Sequence, residues 1–142
     1  MPNALGATFN QSLWLAMGDV IGLETRIAFL TGCPEASTWS GRPPSGLDTW
    51  SPTINQPRDP RWGRSQEVVS EDPLLLADYA VAYTKGVQEG EDPRFLRAVS
   101  TLKHWVAYSL EDSDGHTRHN FCAEVTDYDL GATYFPMFKK AV

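Results

Sequence analysis

The chain has 142 residues, 42% hydrophobic and 21% charged, with 12 Lys and Arg against 18 Asp and Glu for a net charge of −6. This is the composition of one globular domain, residues 1–142, with a single core, and it excludes low-complexity disorder. The acidic excess argues against nucleic acid as a partner, and no apolar run reaches the ~20 residues needed to span a bilayer.

The opening "MPNALGATF" lacks a basic n-region and a long apolar stretch, so the chain reads as intracellular or as one whose true beginning lies upstream, and the compartment stays open. In "NQSLWLAMGDVIGLETRIAFL", Leu13, Met17, Val20, Ile21, Ile27 and Ala28 recur at three-to-four spacing. They predict a long amphipathic helix with Asn10 as N-cap, closed by Gly32 and Pro34. Asn10 also begins an Asn-Gln-Ser glycosylation sequon. "GCPEASTWSGRPPSG" reads as a surface loop. "LDTWSPTIN" is a short strand candidate in which Pro52 counts against a mid-sheet place.

Three arginines follow that strand in "RDPRWGRSQE", three residues apart. Asp72-Pro73 then reads as N-cap and first helical residue of a helix burying Leu76, Tyr79, Ala80, Tyr83 and Val87. "AVSTL" suits a second strand, followed at once by Lys103-His104. "EDSDGHTRHN" is a polar loop, and "TDYDLGATYFPMFKKAV" a helix with Thr126 at a capping-box-like start and a break at Pro136. Strands alternating with helices imply parallel βα units. The polar clusters follow the strands, on the face where such folds bind ligands, and no Gly-rich phosphate loop follows either one.

Arg64 can donate two parallel hydrogen bonds to a carboxylate or to neighbouring sugar hydroxyls, with Trp62 nearby as an apolar face. Pairing with Asp59, Glu67, Glu71 or Asp72 would equally account for it, and Arg58 and Arg61 are read as internal pairs. Lys103 and His104 are two adjacent donors after an apolar strand, where leaving either buried and unpaired is costly. They read either as a shared binding site or as a loop salt bridge and a satisfied core histidine. His116, His119 and Cys122 recur at intervals of three, but no fourth ligand of suitable spacing is evident, so no metal is expected. Helix caps and solvated loops account for the many carboxylates, and no nucleophile–histidine arrangement stands out. Whether Cys33 and Cys122 meet cannot be read from two cysteines.

"GLDTWSPTINQPRDPRWGRSQEVVSEDP", then "LKHW", then "RHNFCAEVTDYDLGATYFPMF", resembles the N-terminal domain of family 3 glycoside hydrolases, in the branch of β-xylosidases and β-glucosidases. The resemblance covers essentially the whole chain, and the upstream "GATFNQSLW…ETR" fits its preceding helix. It implies a (β/α)8-type barrel, of which this chain would be about half, since a full barrel runs to ~250 residues. It implies that Arg64, Lys103 and His104 bind hydroxyls of the sugar in the cleavage subsite, while Arg58 and Arg61 brace the loop.

It also implies retaining hydrolysis of terminal β-glucosides or β-xylosides, with no cofactor. The aspartate nucleophile and the acid-base carboxylate would belong to the remainder of the barrel and the following domain. No catalytic residue is then expected in this chain, which should neither turn over substrate nor be readily soluble. The alternative is a non-catalytic carbohydrate-binding or interaction protein that kept the sugar grip. Three features depart from the family pattern: the lengthened "PEASTWSGRPP" loop, and Ser109 and Cys122 where Asp and Asn are more usual.

Overall fold

Asn10 and Gly32 bound the first long helix as the sequence predicts. The computed structural model describes residues 2–32 and 46–142; the Gly/Pro/Ser-rich segment at 33–45, with Cys33 and any pairing it makes, lies outside the described residues. A short helix α1 (Pro2–Gly6) precedes α2 (Gln11–Thr31). The Asn10 side chain accepts a hydrogen bond from the Leu13 N–H, so the sequon asparagine is a helix cap. Gly32 closes α2 in the left-handed region at φ 62°, with its N–H on the Ala28 carbonyl.

Only half of the aliphatic stripe predicted for α2 turns inward: Met17, Ile21 and Ala28 are half-buried, and Ile21 packs against the core. Trp14, Gly18 and Gly22 are buried, whereas Leu13, Val20 and Ile27 are exposed. The reason is backbone approach to α3 (Pro73–Gln88). A Cβ on Gly18 would lie 2.3 Å from the Tyr83 carbonyl oxygen, and one on Gly86 of α3 would lie 2.2 Å from that of Leu15. Only glycine permits that spacing, so the glycine row sets the contact, and Leu13, Val20 and Ile27 turn outward.

Asp72 caps α3 by accepting from the Leu75 N–H, and Pro73 opens it. All five residues of its predicted stripe, Leu76, Tyr79, Ala80, Tyr83 and Val87, are buried. They pack against Trp14, Met137 and Phe138, which places α3 between α2 and α5 (Pro136–Ala141). Arg97 ties the far end of α3 down. Its Nη2 donates to the carbonyls of Gly86 and Glu89 and to Asp19 of α2, each at 2.6 Å. A cation on the last carbonyls of a helix satisfies their lone pairs and complements the dipole.

Strands β1 (Asp48–Thr49) and β2 (Val99–Ser100) pair in parallel, Asp48 with Val99 and Thr49 with Ser100, with α3 between them in the chain. The ladder breaks at the cis Ser51–Pro52 peptide and resumes as a parallel bridge between Thr53 and Lys103. The Lys103–His104 and Trp105–Val106 peptides are also cis. This is the parallel βα unit expected.

The segment read as a polar loop is instead an antiparallel hairpin, β3 (Asp112–Ser113) with β4 (His116–Thr117). Asp114 and Gly115 form its turn at φ 53° and 79°. An Asp-Gly pair that accepts two positive φ angles is a strong local hairpin signal, and it stands in the sequence. The last segment starts at Thr126, whose hydroxyl accepts from the Asp129 N–H, as α4 (Asp127–Asp129). It widens to a π-helical turn at Leu130–Tyr134 and restarts at Pro136.

Candidate functional site

Parallel register builds the site. The Ile54 N–H donates to the Lys103 carbonyl at 2.7 Å, and the Lys103 N–H to the Pro52 carbonyl at 3.2 Å. The residues that follow each strand therefore emerge side by side, Asn55 and the arginine loop from one and His104 from the other. Asn55 is buried and bridges them. Its Oδ1 accepts from the His104 backbone N–H at 3.0 Å and lies 3.0 Å from His104 Nδ1, while its Nδ2 donates to the Tyr108 carbonyl at 2.9 Å.

Within the arginine loop Arg61 pairs internally as expected, Arg58 meets an aromatic ring and no carboxylate, and Arg64 takes Glu67, one of the partners that the sequence offers. Arg61 forms a two-point pair with Asp59, whose carboxyl that bond lowers to about 2. Arg58 sits 5.7 Å from the Tyr134 ring centroid and so ties the loop to the π-helical turn. Arg64 is clamped within the loop. Its Nε and Nη2 donate to the two carboxylate oxygens of Glu67 at 2.8 and 2.7 Å, and Nη1 lies 3.5 Å from Glu111. Internal pairing and ligand contact are compatible here, because the clamp locks the guanidinium plane while Nη1 makes only a long contact.

Arg64, Lys103 and His104 share one electrostatic neighbourhood around Glu67. Glu67 is held below the ordinary carboxylate range by its bonds to Arg64, against the burial that raises it, with Lys103 and His104 adding to the lowering. Burial pulls the Lys103 ammonium down, and Arg64 pulls it further. Among the described residues no carboxylate lies within 4 Å of Lys103. Burial, then Arg64 and Lys103, lower His104 to about 4. At neutral pH the imidazole is therefore uncharged, beside a cationic Lys103.

Tyr108, unnoticed in the sequence, holds the cluster together. Its ring packs edge-on against His104 (4.9 Å) and Trp62 (5.4 Å), and Arg64 lies 6.0 Å from its centroid. Its hydroxyl donates to Glu111. The hairpin presents Glu111, since the Arg118 N–H closes on the Glu111 carbonyl at 3.0 Å and Arg118 Nη1 lies 3.5 Å from its carboxylate. Burial raises Glu111, but Tyr108, Arg118 and Arg64 together bring it below the ordinary range. Trp62 is buried, so it is a wall of the loop and not an open apolar platform.

A hollow of about 500 Å³ lies beside this cluster, between the arginine loop and the hairpin, and is lined in part by Trp62, Ser109, Glu111, His116 and Phe121. Lys103 and Glu67 border a second recess and His104 a third. No one of these hollows holds all three residues; what joins the three is charge and hydrogen bonding, with Glu111 the wall shared with the first. His116, His119 and Cys122 do not gather, and the described residues contain no group of three or more His, Cys, Asp or Glu fit for a metal.

The βα unit sets an arginine clamp, an ammonium and a neutral imidazole beyond its strand ends, the end at which α/β enzyme domains carry their sites. The chain belongs to the glycosyl hydrolase family 3 N terminal domain, whose family model matches residues 45–142. It is 42% identical over 144 residues to beta-xylosidase/alpha-L-arabinofuranosidase 2 of Medicago sativa subsp. varia, covering 100% of this chain and 17% of that protein. It is also 42% identical over 138 residues to beta-D-xylosidase 3 of Arabidopsis thaliana, covering 96% and 16%.

Among solved structures it is similar to the GH3 exo-beta-xylosidase XlnD in complex with a xylobiose aziridine activity-based probe, with TM-score 0.82, 32% identity and coverage of 99% of this chain and 17% of that one. The beta-glucosidase from Listeria innocua matches with TM-score 0.67 at 25% identity, with the same coverage. These neighbours are family 3 enzymes, so the fold is of the TIM-barrel type. The chain spans about a sixth of the length of the relatives it matches.

Proposed function

We propose that this chain supplies the sugar grip of a retaining β-glycosidase acting on terminal β-xylosides or β-glucosides, and that its two parallel strands and α3 form part of a half-barrel completed by further βα units. In this reading Arg64, Lys103 and His104 bind hydroxyls of one pyranose. The observation that carries it is the convergence of these three side chains around Glu67 at the ends of two adjacent parallel strands. A neutral pyranose offers hydroxyls and no charge, so its recognition rests on fixed, charge-assisted donors beside an apolar wall. Cations near the anomeric carbon would oppose an oxocarbenium ion, so the grip acts on the ring's more distant hydroxyls, where bonds that tighten as the ring distorts add to rate.

The carboxylates beside the grip are poor nucleophiles. Glu67 is clamped by Arg64, and Glu111 is held by Tyr108, Arg118 and Arg64. Bond breaking is assigned to carboxylates outside these residues, and the reading needs no cofactor. The test is to titrate the purified chain with methyl β-D-xyloside and methyl β-D-glucoside by NMR, and to assay it on aryl β-xylosides and β-glucosides. Binding without turnover is expected. Turnover abolished by Glu67→Gln or Glu111→Gln would overturn the assignment, and failure of both glycosides to bind would overturn the grip.

A further inference from the structure

Asn55 Oδ1 meets both the backbone N–H and Nδ1 of His104, and the orientation of the amide is fixed from the other side. The Tyr108 carbonyl can only accept, so the Asn55 atom facing it at 2.9 Å is the amide nitrogen, and Oδ1 necessarily faces His104. Oδ1 receives the His104 backbone N–H at 3.0 Å, which again requires an oxygen there. The same oxygen lies 3.0 Å from Nδ1, a hydrogen bond only if Nδ1 carries the proton. A carbonyl oxygen has two lone pairs, so both bonds can form together.

We infer that Asn55 is a positioning residue that holds His104 as its Nδ1–H tautomer, so that Nε2 is a hydrogen-bond acceptor in the sugar site. The pairing is built into the fold, because the Thr53–Lys103 bridge sets Asn55 and His104 beside one another and Asn55 is buried at 2% exposure. It matters for specificity, a step that rests on the sugar-binding reading. Arg64 and Lys103 can only donate, and each Glu67 oxygen already accepts one bond from Arg64, which leaves the carboxylate the weaker remaining acceptor. A hydroxyl that accepts from these cations still has a proton to place. Among the described residues Nε2 of His104 carries no hydrogen bond, and a lone pair there receives that proton. The site then requires a hydroxyl at that ring position and rejects a group that cannot donate.

The test reads the tautomer directly. Long-range 1H–15N correlation spectra of the 142-residue protein at pH 7 should show His104 Nδ1 protonated and Nε2 unprotonated. Asn55→Leu removes the acceptor and should release the ring toward its Nε2–H form, while Asn55→Asp keeps the acceptor and should keep Nδ1–H. Wild-type spectra with the proton on Nε2, or a tautomer unchanged in Asn55→Leu, would overturn the inference; if Asn55→Leu does not fold, the wild-type and Asn55→Asp spectra decide. Methyl β-D-xyloside and its monofluoro-deoxy analogues form the second arm. One analogue should bind at least ~10-fold more weakly than the parent, and Asn55→Leu should erase that gap. Expected tautomers with no glycoside bound would remove the sugar-binding reading and leave the positioning role standing; equal binding of all analogues would remove the acceptor role.

Discussion

Arg64 and Glu67 form a two-point clamp, Nε to Oε1 at 2.8 Å and Nη2 to Oε2 at 2.7 Å, three residues apart across a 3-10 turn at Ser65–Glu67. Its role is to fix a plane. An ammonium at the same position keeps the charge but cannot hold two oxygens and a third partner in one geometry. Arg64→Ala should weaken binding of methyl β-D-xyloside at least ~10-fold, as expected for losing a charged hydrogen bond of about 1.5–3 kcal/mol. Arg64→Lys should restore little of it. NMR titration of each variant decides, and full rescue by lysine would show that planarity is irrelevant.

His104 couples the site to pH. Its folded value of about 4 lies below the ordinary 6.5, so between those limits the unfolded chain binds more protons than the folded one. The stability contributed by neutral His104 is present above about pH 6.5 and is lost as pH falls through about 4. The charged groups that act on it are Arg64, Lys103, Glu67 and Glu111, and both carboxylates are themselves held low. The urea midpoint should therefore fall between pH 7 and pH 5, and His104→Gln should flatten that slope. An equal slope in the variant would trace it to another group.

Gly18 and Gly86 face each other's helices so closely that a methyl group has no room. Alanine raises helix propensity by ~1 kcal/mol over glycine, but here it would meet backbone at 2.2–2.3 Å, which cannot swing aside. Overpacking, at ~1–3 kcal/mol, should win. Gly18→Ala and Gly86→Ala are expected to lower the thermal midpoint. Gly131→Ala, with nothing within 4 Å of the added Cβ, should leave it unchanged or raise it.

Arg97 offers a separate test of how α2 and α3 are joined. Arg97→Met keeps much of the stem and removes the guanidinium that serves Asp19, Gly86 and Glu89. A loss of about 2 kcal/mol by urea unfolding is expected, because the α3 carbonyls lose a charged donor. The Asp19→Asn variant should cost much less, since that carboxylate is largely exposed.

What chain order alone determined was local. Asn10, Asp72 and Thr126 are legible as caps because a capping side chain reaches only three residues ahead, and the α3 stripe is legible because one helix face meets one core. The motif pattern also pointed to Arg64, Lys103 and His104 through resemblance. Tertiary structure decided the rest. The face α2 buries depends on how near α3 comes, which a periodicity of bulky residues reports only in part when glycines make the contact. The charge of His104 depends on burial and on Arg64, forty residues earlier in the chain, and its tautomer on Asn55 across the Thr53–Lys103 bridge. Desolvation and cross-strand hydrogen bonds are properties of neighbours in space, and no spacing along a chain encodes which neighbour will arrive.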